Sequence, residues 1–296
     1  MTAGAVALVL LAALAHASWN LLAKRGGARG VAFVWIYTVV EMVLWAPIAL
    51  GAALVTSAEV GVAALVLMLG SAVLHSAYVV LLQRGYATGD LSFVYPFARG
   101  LAPLIAVGGA VLLLGEQPTL LALAGAVAVA GGVVWIGLTA RGGAPRSSGV
   151  GVVRNPLGPP LFYALATATM IAGYTVWDGY AMQTLTLTPI LYHWGGTVGR
   201  VGLLAPAVWG RWDELRRVGR DARTSIVGIA LLAPLAYMLV LWAFTLAPVS
   251  YVAPAREASI VVATAMGVLL LGERSTAQRV IAAAVIAVGV FLLSVA

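Results

Sequence analysis

Ten apolar segments, each close to 20 residues long, run through this chain of 296 residues. About 20 apolar residues in a helix span the hydrocarbon core of a bilayer, so the segments predict ten transmembrane helices. Only 9% of the residues are charged, whereas a soluble domain carries about 25%. The expected fold class is therefore an all-α integral membrane protein. The segments lie near residues 3–22, 31–53, 62–82, 92–114, 118–138, 159–182, 188–210, 224–246, 250–271 and 276–295.

Positive charge between these segments and at their ends is confined to alternate loops. Cytoplasmic loops of membrane proteins carry an excess of Lys and Arg, so the odd-numbered loops are expected in the cytoplasm and both termini on the extracytoplasmic side. The expected location is the bacterial inner (plasma) membrane, with multiple spans. The fourteen loop cations are Lys24, Arg25, Arg29, Arg84, Arg141, Arg146, Arg154, Arg211, Arg216, Arg217, Arg220, Arg223, Arg274 and Arg279.

The two halves of the chain repeat one plan. Residues 99–116 align without a gap to residues 256–273, with eight of eighteen positions identical, and V-L-L-L-G-E occurs in both. A repeat of five helices has an odd number of crossings, so the second copy must be inverted, which is a recurrent transporter architecture. The predicted organisation is a first five-helix repeat over 1–139, a cytoplasmic linker over 140–158 and a second repeat over 159–296.

These motifs resemble one transporter family. Two five-helix repeats that each close on an L-G-E turn, with H-A-S-W-N at 16–20 in the first helix, are similar to the drug/metabolite transporter superfamily, EamA type. The resemblance implies secondary active or facilitative transport of a small metabolite and no enzymatic activity. Export of amino acids or similar amphipathic solutes is the leading interpretation. A carrier for an anionic solute such as a phosphonate or sugar phosphate, and a non-transporting membrane scaffold, are the alternatives.

Several other functions are disfavoured by residues the chain lacks. Cysteine is absent, and the single lysine, Lys24, follows Ala23, so the phosphate-binding loop of an ATP-driven pump cannot form. No histidine pair has the spacing of a metal site, and no nucleophile constellation of a membrane enzyme is visible. No cofactor or metal is expected. The net charge of +7 reflects the cytoplasmic loops, so the expected partners are a small solute and membrane lipid, not nucleic acid.

Ionisable side chains inside the predicted spans should face the protein interior or water, because each is costly in lipid. Arg99 and Arg256 stand out, since each follows a proline, Pro96 or Pro254, that tends to break a helix. An Arg beside a half-helix N-terminus suits an anionic group. Buried ion pairs that hold helices in register are the alternative reading. The six side chains are Arg99, Arg200, Arg256, Glu41, Asp178 and Glu257.

The remaining site candidates come from the same repeat pattern. Trp19-Asn20 in the first half corresponds to Trp177-Asp178 in the second, and Asp178 and His16 are the candidates for proton coupling. Glu116 and Glu273 in the L-G-E turns are expected to cap backbone groups. The predicted substrate-binding residues are Arg99, Arg256, Tyr95, Tyr251, Trp19, Asn20, Trp177, Asp178 and Glu257.

Small residues indicate close helix packing. Gly125 and Gly132 lie on one predicted span, and the last span is rich in Ala. Such faces allow two helix backbones to approach closely. They could pack within one chain or join two copies in a homodimer.

Overall fold

Twelve helices and no strand make up the part of the chain that the computed structural model describes, residues 1–26, 30–88, 91–140, 158–271 and 276–296. The all-α class predicted from the sequence is confirmed over these ranges. The helices are α1 Ala3–Gly26, α2 Val31–Val55, α3 Val62–Thr88, α4 Leu91–Leu114, α5 Leu120–Ala140, α6 Pro159–Thr184, α7 Pro189–Val208, α8 Trp212–Asp221, α9 Arg223–Phe244, α10 Val249–Ala255, α11 Ala258–Leu271 and α12 Ala277–Val295.

Eight helical segments in these ranges are long and apolar enough to cross a membrane: α1 to α5, α9, the consecutive pair α10 and α11, and α12. Helices α6 and α7 coincide with two further predicted spans and contain 26 and 20 residues. They are less apolar because they carry polar side chains such as Asp178, His193 and Arg200. A multi-pass membrane protein is established, and ten spans stays a prediction.

The structure corrects two expectations about helix continuity. Helix α4 runs without a break from Leu91 to Leu114 although it contains Pro96. The predicted span 250–271 is instead divided, because α10 ends at Ala255 and α11 begins at Ala258. Pro254 lacks a backbone N–H, and the amide of Glu257 bonds three residues back to the Pro254 carbonyl at 3.0 Å. Of the two prolines, only Pro254 has the predicted effect.

A short helix lies where the sequence indicated a basic loop. Gly210, with φ +76°, turns the chain after α7, and α8 then occupies Trp212–Asp221. Ten residues are too few to cross a bilayer. The apolar-segment criterion does not detect this helix, because most of its residues are charged.

The L-G-E turn after α4 ends that helix in a specific way. Gly115 takes a left-handed φ of +69°, and the amide of Glu116 donates to the Ala110 carbonyl at 3.2 Å. This bond reaches back over six residues, and glycine accommodates the left-handed turn best because it has no Cβ. It leaves the Glu116 side chain free to serve another helix. The second copy of the turn, including Glu273, lies outside the described residues.

One compact unit comprises Met1, residues 77–176 and residues 248–296. In it, α5 packs against α12 and α4, and α10 packs against α4. A Cβ added at Gly125 would lie 2.8 Å from the Gly289 carbonyl oxygen, and one at Gly132 would lie 3.0 Å from that of Ala282. The small residues that the sequence analysis singled out therefore pack within one chain.

The second compact unit comprises residues 2–76 and 177–247. Helix α1 packs against α9, and α2 packs against α7, α8 and α9. Three indole N–H groups donate to backbone carbonyls of neighbouring helices: Trp35 to Val201, Trp45 to Ala230 and Trp194 to Met42, at 2.9–3.1 Å. Each unit draws helices from both predicted repeats, and the repeat boundaries themselves stay a prediction.

Candidate functional site

A buried ion pair in the first unit joins two of the predicted site residues. Arg99 on α4 donates from both Nε and Nη2 to Oε2 of Glu257, at 3.2 and 2.9 Å. The break between α10 and α11 places Glu257 directly before the first residue of α11. A negative charge at this N-terminal end interacts favourably with the helix dipole. Both side chains are buried. The ion-pair reading therefore describes Arg99 in this structure.

Arg256, the neighbour of Glu257, is a buried cation in a different situation. Its Nε lies 3.8 Å from Oε1 of Glu257, which is within ion-pair range but exceeds hydrogen-bond distance. This Nε has no hydrogen-bond partner among the described residues. Ser259 Oγ, three residues further along, is buried and unpartnered in the same sense. A buried N–H without an acceptor is costly. The α10–α11 break thus holds donor capacity that the described part of the chain does not use.

The charges around the break do not cancel. Arg99 and Arg256 contribute two positive charges, since guanidinium groups stay protonated in proteins, and Glu257 contributes one negative charge. The three buried side chains together carry one excess positive charge. An anionic group brought to Arg256 would neutralise it.

Other residues fix the position of α10. The Glu116 carboxylate accepts from the backbone N–H groups of Val249 and Ser250 at 2.7 and 2.8 Å. Glu116 therefore caps a helix, as predicted, although the helix is α10 and not one in its own turn. The Tyr251 hydroxyl accepts from the Thr119 amide at 3.2 Å. A solute contact by Tyr251 stays a prediction, and the side chain of Tyr95 lies outside the described residues.

A second buried network occupies the other unit and centres on Glu41 of α2. Its Oε1 accepts from Thr197 Oγ1 at 2.7 Å and from Arg200 Nη2 at 2.7 Å, and it lies 3.0 Å from His193 Nε2. Arg200 Nη2 also donates to Thr197 Oγ1 at 2.9 Å. One carboxylate oxygen thus contacts three side chains of α7. The network ties α2 to α7.

Asp178 on α6 lies in an aromatic environment in the same unit. Its side chain is fully buried, Oδ1 accepts from the Tyr192 hydroxyl at 2.7 Å, and Oδ2 accepts from the Tyr237 hydroxyl at 2.5 Å. The Tyr237 ring contacts the rings of His75 and His193, with centroids 5.2 and 5.5 Å apart. Hydroxyls can donate or accept, so these partners suit both the charged and the neutral form of the acid.

The other predicted site residues make local contacts. The Asn20 amide donates to the His16 carbonyl at 2.8 Å, and the His16 and Trp19 rings pack edge to face at 5.0 Å. Trp19 also packs against the apolar cluster of Phe33, Ala222, Ile226 and Ile229. The Trp177 indole donates to the Leu67 carbonyl at 2.8 Å. Solute and proton-coupling roles for these residues stay predictions.

The Glu41 network was not among the site residues predicted from the sequence. A signal for it was present, because His193, Thr197 and Arg200 are spaced by four and three residues and so share one face of α7. Glu41 is the one acid within the second predicted span. The sequence did not indicate that α2 is the helix that packs against this face of α7.

Comparison with known proteins adds a family and a fold. Residues 158–295 match the EamA-like transporter family. A solved protein, whose title reads only "Crystal structure of protein", covers 100% of this chain over 98% of its own length, with 18% identity and a TM-score of 0.74. At that identity the likeness shows the fold alone. No curated protein matches the chain significantly.

Proposed function

We propose that this chain carries a small solute bearing one carboxylate, with an amino acid or similar amphipathic metabolite as the cargo, because its residues 158–295 match the EamA-like transporter family. Arg256 is the observation that carries this proposal. It is buried beside a helix break, and its Nε has no hydrogen-bond partner among the described residues. A carboxylate would supply two acceptors to its planar donor group.

The size of the charge imbalance bears on the class of solute. One excess positive charge accompanies Arg99, Arg256 and Glu257, and one carboxylate balances it. A doubly charged phosphate or phosphonate would leave a net negative charge in a buried site, which is unfavourable. This favours a single carboxylate at Arg256 over a doubly charged anionic group. A scaffold without transport activity would have no use for a buried guanidinium whose Nε lacks a hydrogen-bond acceptor.

Asp178 is the proposed proton-coupling group. It is buried, and its two carboxylate oxygens accept from the hydroxyls of Tyr192 and Tyr237. Protonation changes its charge without requiring a new partner. His16, the other candidate, contacts Trp19 and has fewer features that favour the role.

The topology belongs to the same proposal. Ten spans in two inverted repeats, with the basic loops in the cytoplasm of a bacterium and both termini outside, account for the distribution of loop cations. A reporter that fluoresces only in the cytoplasm, fused after Ala296, is expected to stay dark. Fluorescence there would contradict this orientation.

Transport in proteoliposomes tests the requirement for a carboxylate. Uptake of a labelled amino-acid mixture should be inhibited by unlabelled amino acids and not by the matching amides, which keep the amphipathic body and lose the charge. Arg256→Ala should abolish the uptake, and Arg279→Gln, which removes a cation at the start of α12, should not. Equal inhibition by acids and amides would contradict the proposal. Inhibition only by doubly charged phosphates or phosphonates would favour the second class of solute.

A further inference from the structure

Helix α8 is amphipathic and is held at the surface of the second unit by its apolar face. Leu215 packs with Ala32 and Val208 in one apolar cluster. Val218 packs against the cluster that contains Phe33 and Ile226. Both contacts join α8 to the neighbouring helices α2, α7 and α9. The opposite face of α8 is left for solvent or membrane.

That opposite face carries three arginines. Arg216, Arg217 and Arg220 are exposed and, within the described residues, none has a hydrogen-bond or ion-pair partner. Spacings of three and four residues place them on adjacent positions of the helix surface. They line a cleft of about 620 Å³ together with Asp213 and Gly219. Since Asp213 is the one acid in the lining, the cleft has a net charge of +2.

Aromatic side chains flank this surface. Trp209 and Trp212, at the junction of α7 and α8, expose 79% and 58% of their surface. Tryptophan is enriched where hydrocarbon meets lipid headgroups. Arg211, in contrast, is bound to Glu214 at 2.6 Å and is not available to a ligand in the same way. The exposed indoles indicate that α8 lies at the membrane interface.

We propose that α8 is a binding site for anionic phospholipid headgroups in the adjoining leaflet. Guanidinium groups bind phosphate oxygens in a two-pronged geometry. An amphipathic helix with arginines on its polar face and Trp beside it has the composition of an interfacial helix. The site would anchor the α7–α8–α9 segment to one leaflet. This inference does not depend on the identity of the transported solute.

A lipid titration of the purified full-length chain tests the site. Thermal stability in a neutral detergent is measured against added phosphatidylglycerol and, separately, phosphatidylcholine. Each basic residue near an anionic surface contributes about fivefold in affinity. The variant Arg216→Gln/Arg217→Gln/Arg220→Gln should therefore need at least about tenfold more phosphatidylglycerol for the same stabilisation. A variant with Lys at the three positions should stay close to wild type.

Matched controls separate α8 from bulk charge and from free phosphate. The variant Arg141→Gln/Arg146→Gln/Arg154→Gln removes the same charge from the linker and should keep the wild-type response. Equal loss in both triple variants, or an unchanged response in the α8 variant, would overturn the proposal. Stabilisation of the wild type by soluble glycerol phosphate at the same concentration would also overturn it, because the ligand would then be a free phosphate. Equal stabilisation by phosphatidylcholine would do so too.

Discussion

The two compact units of this protein bury ionised side chains in different ways. In the unit that contains Glu41, one carboxylate oxygen accepts from Thr197 and Arg200 and lies beside His193. In the unit that contains Arg256, one acid is shared unequally, since Arg99 takes both hydrogen bonds and Arg256 takes none. The Glu41 carboxylate has all of these partners within the protein, whereas the Arg256 Nε is a buried donor without an acceptor among the described residues.

The difference separates a structural role from a functional one. A charge that already has its partners holds helices together, and removing it leaves an uncompensated opposite charge. A buried donor without an acceptor weakens the fold, and we interpret such a donor as one whose acceptor a ligand supplies. Burial alone did not distinguish the two cases, because Arg99 and Arg256 are buried to almost the same extent. The hydrogen bonds distinguish them.

The largest effect on stability is expected at Glu41. Glu41→Ala removes the carboxylate that pairs with the partly buried Arg200 and should cost about 3 kcal/mol. Thermal unfolding of the purified variant measures this. Glu41→Gln, which keeps an acceptor oxygen, should lose less. If Glu41→Ala unfolds like the wild type, the Glu41 network does not hold α2 to α7.

A smaller loss of stability, with a specific functional signature, is expected at Asp178. Asn keeps one acceptor oxygen, and its amide can donate to the other tyrosine hydroxyl, whose own O–H then loses its acceptor, so Asp178→Asn should cost about 1–3 kcal/mol. Accumulation driven by a pH gradient should disappear while solute exchange continues. Tyr237→Phe is the control, since it removes one hydrogen bond and keeps the titratable acid. Undiminished accumulation in Asp178→Asn would leave Asp178 with a packing role.

The smallest effect is expected at the cap of α10. Glu116→Gln keeps one acceptor oxygen and removes the charge that favours the helix N-terminus, so it should cost about 1 kcal/mol. Because α10 precedes Arg256, transport should fall slightly with it. The thermal midpoint and the exchange rate of one preparation report both quantities. A large loss of transport without a loss of stability would instead place Glu116 in contact with the solute.

Sequence patterns predicted the helices better than their contacts. Apolar length located the spans because the bilayer sets it, and the positions of α1 to α5 follow the predicted segments closely. The same criterion could not find α8, since a surface helix of ten residues with six charged side chains is not apolar. It also could not distinguish Pro96, which α4 accommodates, from Pro254, which ends α10.

The candidate site was predicted residue by residue and not as pairs. The sequence pointed to Arg99, Arg256 and Glu257 because a charged side chain within a membrane span is costly unless it is paired or serves a function. Their pairing depends on α4 lying against α10, which no local pattern encodes. The Glu41 network was missed for the same reason, since residues 41 and 200 are far apart in the chain.

Arg256 is proposed to bind the solute, whereas Arg99 is proposed to stabilise the fold. Melting temperature and solute exchange, measured together on Arg256→Ala and Arg99→Ala, test this difference most directly. Arg256→Ala should keep the wild-type melting temperature and lose exchange, because Glu257 remains paired with Arg99. Arg99→Ala should have a lower melting temperature, because Glu257 loses the guanidinium that donates both of its hydrogen bonds. Arg256→Lys should exchange solute weakly, because Lys lacks the planar two-pronged donor geometry of Arg. Normal exchange in Arg256→Ala, or a fall in its melting temperature as large as that of Arg99→Ala, would contradict the account.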